Sequence, residues 1–253
     1  MLREIPRYFL RLLPSYLRNK LMQNIKFRSV YSLSLAKNKN LCAELLEMSQ
    51  KDQGIRNESS FIFENWKNTT TYPEIRKLII KCFDVDETNT AKMKEIIANY
   101  GFPAKSLVGL MGTQAAWLLV QDADHDPGFQ EQCLILMEEA LKQDEVVASN
   151  VAYLTDRVRV SQGLPQVYGT QWSFNNKPQP IQDKDRVNER RASVGLEPIE
   201  IYAASIGTAG LWQQETNLLE YRKCMEEIAA ELPTKYKRKV QEELKLIQPE
   251  DTK

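Results

Sequence analysis

Apolar residues recur at helical spacing in the centre of the chain, where three successive segments each carry a continuous apolar face. The first segment covers 106–122, and its apolar positions are Leu107, Leu110, Ala115, Trp117, Leu118 and Val120. The second covers 129–142 and the third 146–160, and the turn Asp126-Pro127-Gly128 separates the first two. Apolar residues that return every three or four positions predict helices with a buried face. Three packed helices are therefore expected here.

The pattern is weaker towards the ends of the chain. A helix is predicted over 38–56, an irregular or partly helical stretch over 57–72, a short helix over 73–83, and a further helix ending at Gly101. Thr88 or Asn89 could cap that last helix, because their side chains accept hydrogen bonds from free backbone N–H groups. Other helices are predicted over 185–194, 216–232 and 234–247.

A change of period near residue 166 predicts a small β element. Val167, Tyr168 and Trp172 stand near alternate positions of 166–174, which indicates one strand of a hairpin that returns through Ile181. The predicted fold is therefore mainly α, a compact multi-helix domain with a minor β-hairpin. We divide the chain into a basic amphipathic segment (1–36), a helical domain (37–205) and a C-terminal helical extension packed on it (206–253).

The N-terminal segment combines an apolar face with a strong positive charge. Arg3, Arg7, Arg11 and Arg18 fall on one side of a predicted helix over 2–21, and Pro14 should kink it. Residues 1–40 contain nine basic and one acidic residue, although the whole chain has no net charge. Residues 1–25 could bind an anionic membrane surface, or the helix could dock on the acidic remainder of the chain. The protein is expected to be cytoplasmic, and the first alternative adds peripheral attachment to a membrane.

Composition narrows the classes of function. No apolar stretch approaches the roughly 20 residues that span a bilayer. The four cysteines form no CxxC pair, which is typical of a reducing compartment, and His125 is the only histidine, which makes a zinc site improbable. The acidic body argues against nucleic-acid binding. The sequence identifies no cofactor.

Polar residues concentrate between Trp117 and Arg191. Four stretches stand out: Gln121-Asp122-Ala123-Asp124-His125-Asp126-Pro127, Ala152-Tyr153-Leu154-Thr155-Asp156-Arg157, Pro165-Gln166-Val167-Tyr168-Gly169-Thr170-Gln171, and Asp183 to Arg191. Each places ionisable or hydrogen-bonding groups beside apolar neighbours. Such groups either pair with one another or face a ligand, because unsatisfied polar groups are costly to bury.

These motifs resemble those of a bacterial domain family of unknown function. The resemblance rests on Trp-Leu-Leu-Val-Gln (117–121), Ala-Tyr-Leu-Thr-Asp-Arg (152–157), Gln-Val-Tyr-Gly-Thr-Gln (166–171) and the Arg-Arg pair before Gly-Leu (190–196), and it covers roughly 40–202, including Asp52-Gln53 and Arg56. It implies a bacterial protein but no activity. In that family a Gln-His-Ala-Asp string commonly stands where this chain has Gln121-Asp122-Ala123-Asp124. A catalytic histidine would therefore be replaced here by Asp122 or by His125, or the activity would be lost.

Five residues are candidates for catalysis: Asp122, Asp124, His125, Tyr153 and Asp156. His125 could be a general base oriented by a neighbouring carboxylate, or a solvated residue of an acidic turn. The alternating aspartates from Asp122 to Asp126 lack the glycine and glutamate that an EF-hand loop requires, so a calcium loop of that type is rejected. A looser Mg²⁺ site is the alternative, but a role in capping and turns is favoured and no metal site is predicted. Asp156 could instead belong to an internal ionic network.

Eight residues are candidates for ligand binding: Gln121, Arg157, Gln166, Tyr168, Gly169, Thr170, Gln171 and Arg190. Arg157 or Arg190 could clamp an anionic group, and Gly169 would let a backbone approach closely. We expect a domain that binds a small polar or anionic ligand, with acid–base hydrolysis or group transfer if it is an enzyme. The alternative is a non-catalytic module that binds a protein or a membrane, in which the polar block is a structural network.

Overall fold

The computed structural model describes residues 36–69, 72–172 and 178–209, together with individual residues between 223 and 241. Between residues 36 and 209 the described part of the chain forms seven α-helices and one short 3-10 helix. The α-helices are α1 (Lys39–Thr69), α2 (Tyr72–Tyr100), α3 (Lys105–Gln121), α4 (Pro127–Leu141), α5 (Ala148–Ser161), α6 (Val187–Ser193) and α7 (Ile199–Ala209), and the 3-10 helix is Lys184–Arg186. The mainly helical fold class is confirmed.

Helix α3 lies at the centre of the fold. It packs against α1, α2, α4 and α5, and its buried residues run almost without interruption from Thr113 to Val120. Its backbone leaves helical geometry once, at Gly109. The core around α3 combines Leu45 of α1, Met93 of α2, Met137 of α4 and Leu154 of α5. The three central helices begin and end close to the predicted positions, because their apolar faces are continuous.

The first two helices are longer than predicted. Helix α1 continues through the stretch expected to be irregular, and α2 is one helix where two were expected. Thr88 lies inside this continuous helix and does not cap one. Its hydroxyl donates to the carbonyl of Asp84 one turn earlier, at 2.8 Å, whereas a capping side chain would accept from a free N–H group. Several inward positions of both helices carry polar residues, so the apolar period that would mark continuous helices is broken there. Gly101, with φ +69°, ends α2 as predicted.

The predicted β-hairpin is wrong. The described residues contain only two isolated bridges, a parallel one between Gln166 and Ile181 and an antiparallel one between Trp172 and Pro178. Prolines at 165, 178 and 180 have no N–H group to donate to a ladder. The N–H groups of Val167 and Tyr168 donate to a side-chain carboxylate instead of a strand.

Two terminal predictions fall largely or wholly outside the described residues. The basic helix over 2–21 lies entirely outside them. Of the C-terminal helices, residues 225–227 and 229–230 are helical, and Met225, Ala229 and Leu232 are buried. In the part of the chain that is described, none of the helices has the length and apolar character needed to cross a membrane.

Candidate functional site

A buried carboxylate organises the segment that follows α5. Asp156 is fully buried, and its oxygens accept hydrogen bonds from the backbone N–H groups of Val167 (2.6 Å), Tyr168 (3.0 Å) and Thr170 (2.9 Å). The hydroxyl of Thr170 donates to it as well, at 3.0 Å. Hydrogen bonds to a charged acceptor are stronger than neutral ones. One side chain thus holds the backbone of the loop where a ladder was expected.

The amide of Gln166 closes the same loop on its other side. Its Nε2 donates to the carbonyls of Gln171 (2.9 Å) and Gln179 (2.8 Å), and its Oε1 accepts from the N–H of Gln171 at 2.8 Å. The side chain is fully buried. The side chain of Gln171 donates in turn to the hydroxyl of Thr170. These predicted ligand-binding groups are brought together, and they bond to each other and to the backbone.

Two consecutive arginines of α6 complete this arrangement. Arg190 donates to the carbonyls of Val167, Gln182 and Asp183. Arg191, which is fully buried, donates to the carbonyls of Tyr168 and Glu197, and its guanidinium stacks 4.9 Å from the centre of the Tyr202 ring. Burial lowers the pKa of Arg191. We call Asp156, Gln166, Thr170, Arg190 and Arg191 the closed loop network.

Gly169 lies where the loop packs on α7. Its φ is +70°, and a Cβ atom at this position would lie 2.5 Å from Cδ1 of Ile199 and 3.1 Å from Cδ1 of Ile181. Glycine is therefore required both for the backbone conformation and for the close approach. Tyr168, next to it, is half-buried, and burial raises the pKa of its phenol.

A second polar region surrounds Arg56 of α1. The Nε of Arg56 donates to both oxygens of Asp52, each at 3.2 Å, and its Nη2 donates to Asp86 of α2. Asp122, just after α3, brings its Oδ2 within 3.1 Å of the same Nε. One guanidinium therefore joins carboxylates from three parts of the fold.

Arg157 forms the other ionic contact of this region. Its Nη1 lies 2.7 Å from each oxygen of Asp124. The amide of Gln130, on α4, also donates to Asp124 and to the carbonyls of Val120 and Gln121, so the turn after α3 has a defined shape. We call Asp52, Arg56, Asp86, Asp122, Asp124 and Arg157 the charged cluster.

The charged cluster is closed on one side and partly open on the other. The side chains of Asp52 and Asp86 are only 2% and 5% exposed. Those of Asp122, Asp124, Arg157 and Arg56 are 13%, 19%, 23% and 28% exposed. Solvent therefore reaches the cluster from the side of the segment 122–124, of Arg157 and of Arg56.

Buried polar atoms without hydrogen-bond partners concentrate around this cluster. Within the described residues they are Asn89 Nδ2, Thr90 Oγ1, Trp117 Nε1, Gln121 Oε1, Asp122 Oδ2, Arg157 Nε and Arg191 Nη2. All but the last belong to the charged cluster or lie within five residues of one of its members in the sequence. The Arg56 Nε–H close to Asp122 makes its hydrogen bonds with Asp52 instead. Such atoms are uncommon in folded proteins, so their concentration marks the candidate site.

The electrostatics of the cluster single out Asp122. Burial raises its pKa to about 6, Arg56 opposes that rise, and Asp52 adds to it by repulsion. Burial would lower the pKa of Arg56, but the carboxylates of Asp122, Asp86 and Asp52 raise it more. Arg56 therefore stays charged, and Asp122 exchanges its proton near neutral pH.

An aromatic row connects the two polar regions. Tyr153, one turn before Arg157 on α5, packs edge to face against Trp117 at 6.1 Å and against Tyr202 at 6.3 Å, measured between ring centres. Tyr202 makes the same kind of contact with Trp172 at 6.3 Å. His125 lies in the turn between α3 and α4 and is partly exposed. The adjacent Asp126 caps α4 through the N–H of Phe129.

The structure thus divides the thirteen predicted site residues. Gln121, Asp122, Asp124 and Arg157 meet in or beside the charged cluster, with Tyr153 next to them. Asp156, Gln166, Gly169, Thr170, Gln171 and Arg190 form or line the closed loop network, with Tyr168 next to them. His125, in the turn between α3 and α4, belongs to neither region. The sequence prediction missed Asp52 and Arg56 of α1 as site residues, naming them only as part of the family resemblance, and it missed Asp86, Asn89 and Thr90 of α2. Three polar residues at inward positions of a helix are a signal, but only once that helix is recognised as continuous.

An open surface depression of about 470 Å³ lies elsewhere, beside the start of α1. It is lined by Lys37, Asn38, Lys39, Asn40 and Leu107. Leu107 and Gln121 are separated by most of α3, or about 20 Å at the usual rise per residue. The depression is therefore distinct from the charged cluster.

The comparisons with known proteins place the domain in a family. The model of a family of unknown function (DUF6624) matches residues 39–211. The chain belongs to this family. The matched range of the DUF6624 domain runs from the start of α1 to just beyond α7 and includes both polar regions. Neither the curated proteins nor the solved structures contain a match to the chain.

Proposed function

We propose that the DUF6624 domain binds a small polar ligand at the charged cluster and exchanges a proton with it through Asp122. The observation that supports this most is the set of six buried polar atoms without partners on or near a partly exposed group of ions. A bound ligand with its own donors and acceptors would satisfy them, and so repay the cost of burying them.

Asp122 is the group best suited to acid–base chemistry. A carboxyl with a pKa of about 6 is present in both protonation states near neutral pH, which is the range in which a general acid or base is most effective. In hydrolysis the ionised form would take a proton from the attacking water as its oxygen bonds to the substrate. The same carboxyl would then return that proton to the leaving group as its bond breaks.

Other residues are assigned to holding the ligand. Gln121 offers an accepting oxygen beside Asp122, while Arg157 Nε and Trp117 Nε1 offer donors. Tyr153 is half-buried between the rings of Trp117 and Tyr202 and would form one side of the site. The closed loop network would serve to hold α5 and its neighbours in place, rather than to touch the ligand.

A non-catalytic module is the alternative, and the closed loop network favours it for that half of the polar block. There the polar groups largely satisfy one another, as a structural network requires. The charged cluster could be a structural network as well, in which only water binds the buried polar atoms that lack hydrogen-bond partners. In that case the domain would bind no small ligand. Attachment to a membrane through residues 1–25 remains a prediction.

Ligand binding can be tested by a thermal-shift screen of neutral, cationic and anionic metabolites, followed by calorimetry on each hit. Binding should change around pH 6 in the wild-type protein, and Asp122→Asn should remove that change. Glu139→Gln is the matched control, because Glu139 is exposed and far along α4 from the cluster. Hits that bind Asp122→Asn with unchanged affinity and pH dependence, or a screen without any hit, would overturn the proposal.

A further inference from the structure

The charged cluster carries more negative than positive groups. It contains four carboxylates and two guanidiniums. Both guanidiniums already contact carboxylates: Arg56 bonds to Asp52 and Asp86 and lies 3.1 Å from Asp122, and Arg157 bonds to both oxygens of Asp124. An anionic ligand would have to compete with these carboxylates and would meet their uncompensated charge. The balance of charge therefore favours a positively charged ligand.

A metal ion does not fit this arrangement. Metals require several donor atoms around one point at short distance, and the guanidiniums stand between the carboxylates. Among the residues that the structure describes, no three Asp, Glu, His or Cys side chains are placed to hold a metal ion. A cation that donates hydrogen bonds from several directions fits better, since the buried oxygens that accept no hydrogen bond lie on three different residues, Thr90, Gln121 and Asp122.

A buried hydroxyl of α2 independently points to a ligand. Asp86, Thr90 and Lys94 follow one another at four-residue spacing and so share one face of the helix. Asp86 bonds to Arg56 beside Asp122, and Lys94 bonds to Asp126. Thr90, between them, therefore faces the segment 122–126, yet it is only 3% exposed and its hydroxyl has no partner.

We infer that the ligand is a small organic cation with a protonated amine or a similar N–H-rich group, an inference that rests on the proposed ligand site. Its N–H groups would donate to Asp122 Oδ2, which lies in ionic contact with Arg56 but accepts no hydrogen bond, and to the adjacent Gln121 Oε1, which has no hydrogen-bond partner. Thr90 Oγ1 would supply a third acceptor from α2. The half-buried ring of Tyr153 would lie beside the cation, as aromatic rings do in many amine sites.

Four probes of the same carbon chain length separate charge from shape: putrescine, 4-aminobutyrate, succinate and 1,4-butanediol. Their binding to the full chain would be measured by calorimetry at pH 8, where Asp122 is ionised. Putrescine should bind at least about tenfold more tightly than succinate and the diol. Asp122→Asn should weaken putrescine by about tenfold, Thr90→Val should weaken it less, and Glu139→Gln should leave it unchanged.

The outcomes separate this inference from the proposed function. If succinate or the diol bound more tightly than putrescine, the inference that the ligand is a cation would be wrong, but the proposed ligand site would stand. Putrescine that fails to bind, or that binds Asp122→Asn as well as the wild type, would also overturn the inference, while the proposed function would be decided by its own screen. Preference for putrescine that disappears in Asp122→Asn would support both.

Discussion

Two consecutive residues of α5, Asp156 and Arg157, belong to polar regions of opposite character. Asp156 is fully buried, and its oxygens accept four donors from the loop after α5. Arg157 is 23% exposed, bonds to one carboxylate and keeps a buried Nε without a partner. Burial of a polar residue is therefore a poor guide to function. A polar side chain whose donors and acceptors are satisfied within the protein has a structural role. A side chain with an unsatisfied donor or acceptor can still bind a ligand.

The largest effect is expected from Asp156→Asn. The amide would lose the negative charge and would turn a donor towards backbone N–H groups, so the free energy of unfolding should fall by about 3–5 kcal/mol. Urea denaturation followed by circular dichroism measures the loss. Asp144→Asn is the matched control, because that carboxylate is 95% exposed and the change should cost almost nothing. A loss as small as the control's would show that the loop keeps its shape without the charge.

The next largest loss in the free energy of unfolding is expected when Arg56, the cation at the closed side of the charged cluster, is removed. Arg56→Met leaves Asp52 and Asp86 buried without their guanidinium, which should cost about 3 kcal/mol at neutral pH. Urea denaturation followed by circular dichroism measures the loss, and a loss below about 1 kcal/mol, as for an exposed ion pair, would contradict the role of Arg56 as the buried counter-ion.

Asp122→Asn should have the opposite sign from Asp156→Asn. The folded state holds the Asp122 proton up to about pH 6, above the ordinary value of 3.8. Proton uptake between these values stabilises the fold, and that contribution is lost as the pH rises through 6. The asparagine variant should therefore be about 2 kcal/mol more stable than the wild type at pH 8, with the difference vanishing near pH 4. A constant difference across this range would exclude a raised pKa.

The smallest effect is expected from Thr170→Val. The variant loses the hydroxyl that donates to Asp156 at 3.0 Å, while the backbone N–H of residue 170 still donates to the same carboxylate. One neutral donor of four is removed, so the cost should be about 1 kcal/mol. A loss as large as that of Asp156→Asn would mean that the hydroxyl, rather than the carboxylate, organises the loop.

The sequence was most informative where burial is apolar. Helices α3, α4 and α5 lie within a few residues of their predicted bounds, since most of their buried positions are apolar. The continuity of α1 and α2 was not predictable by the same rule. Asp52, Asp86 and Thr90 occupy buried positions in these helices. Polar residues at buried positions interrupt the helical spacing of apolar residues on which the prediction depends.

The candidate site was only half predictable for a related reason. Polar motifs along the chain indicated that Asp122, Asp124, Asp156 and Arg157 matter, but not which of them are satisfied by neighbours. That depends on contacts between segments far apart in sequence, such as Arg56 with Asp86 and with Asp122. The hairpin prediction was wrong for the same reason, because the backbone N–H groups of Val167 and Thr170 donate to the carboxylate of Asp156 on α5 instead of to a second strand.

The carboxylate of Asp156 accepts hydrogen bonds from the main-chain N–H groups of Val167 and Tyr168, and the side chains of these two residues take no part in these bonds. The path of the loop is therefore insensitive to which amino acids occupy these two positions, provided that neither is proline. Substitutions at these two positions of this chain should therefore alter the outer surface of the loop without changing its path. A combinatorial library at 167 and 168 would be a natural starting point for engineering new recognition on this scaffold.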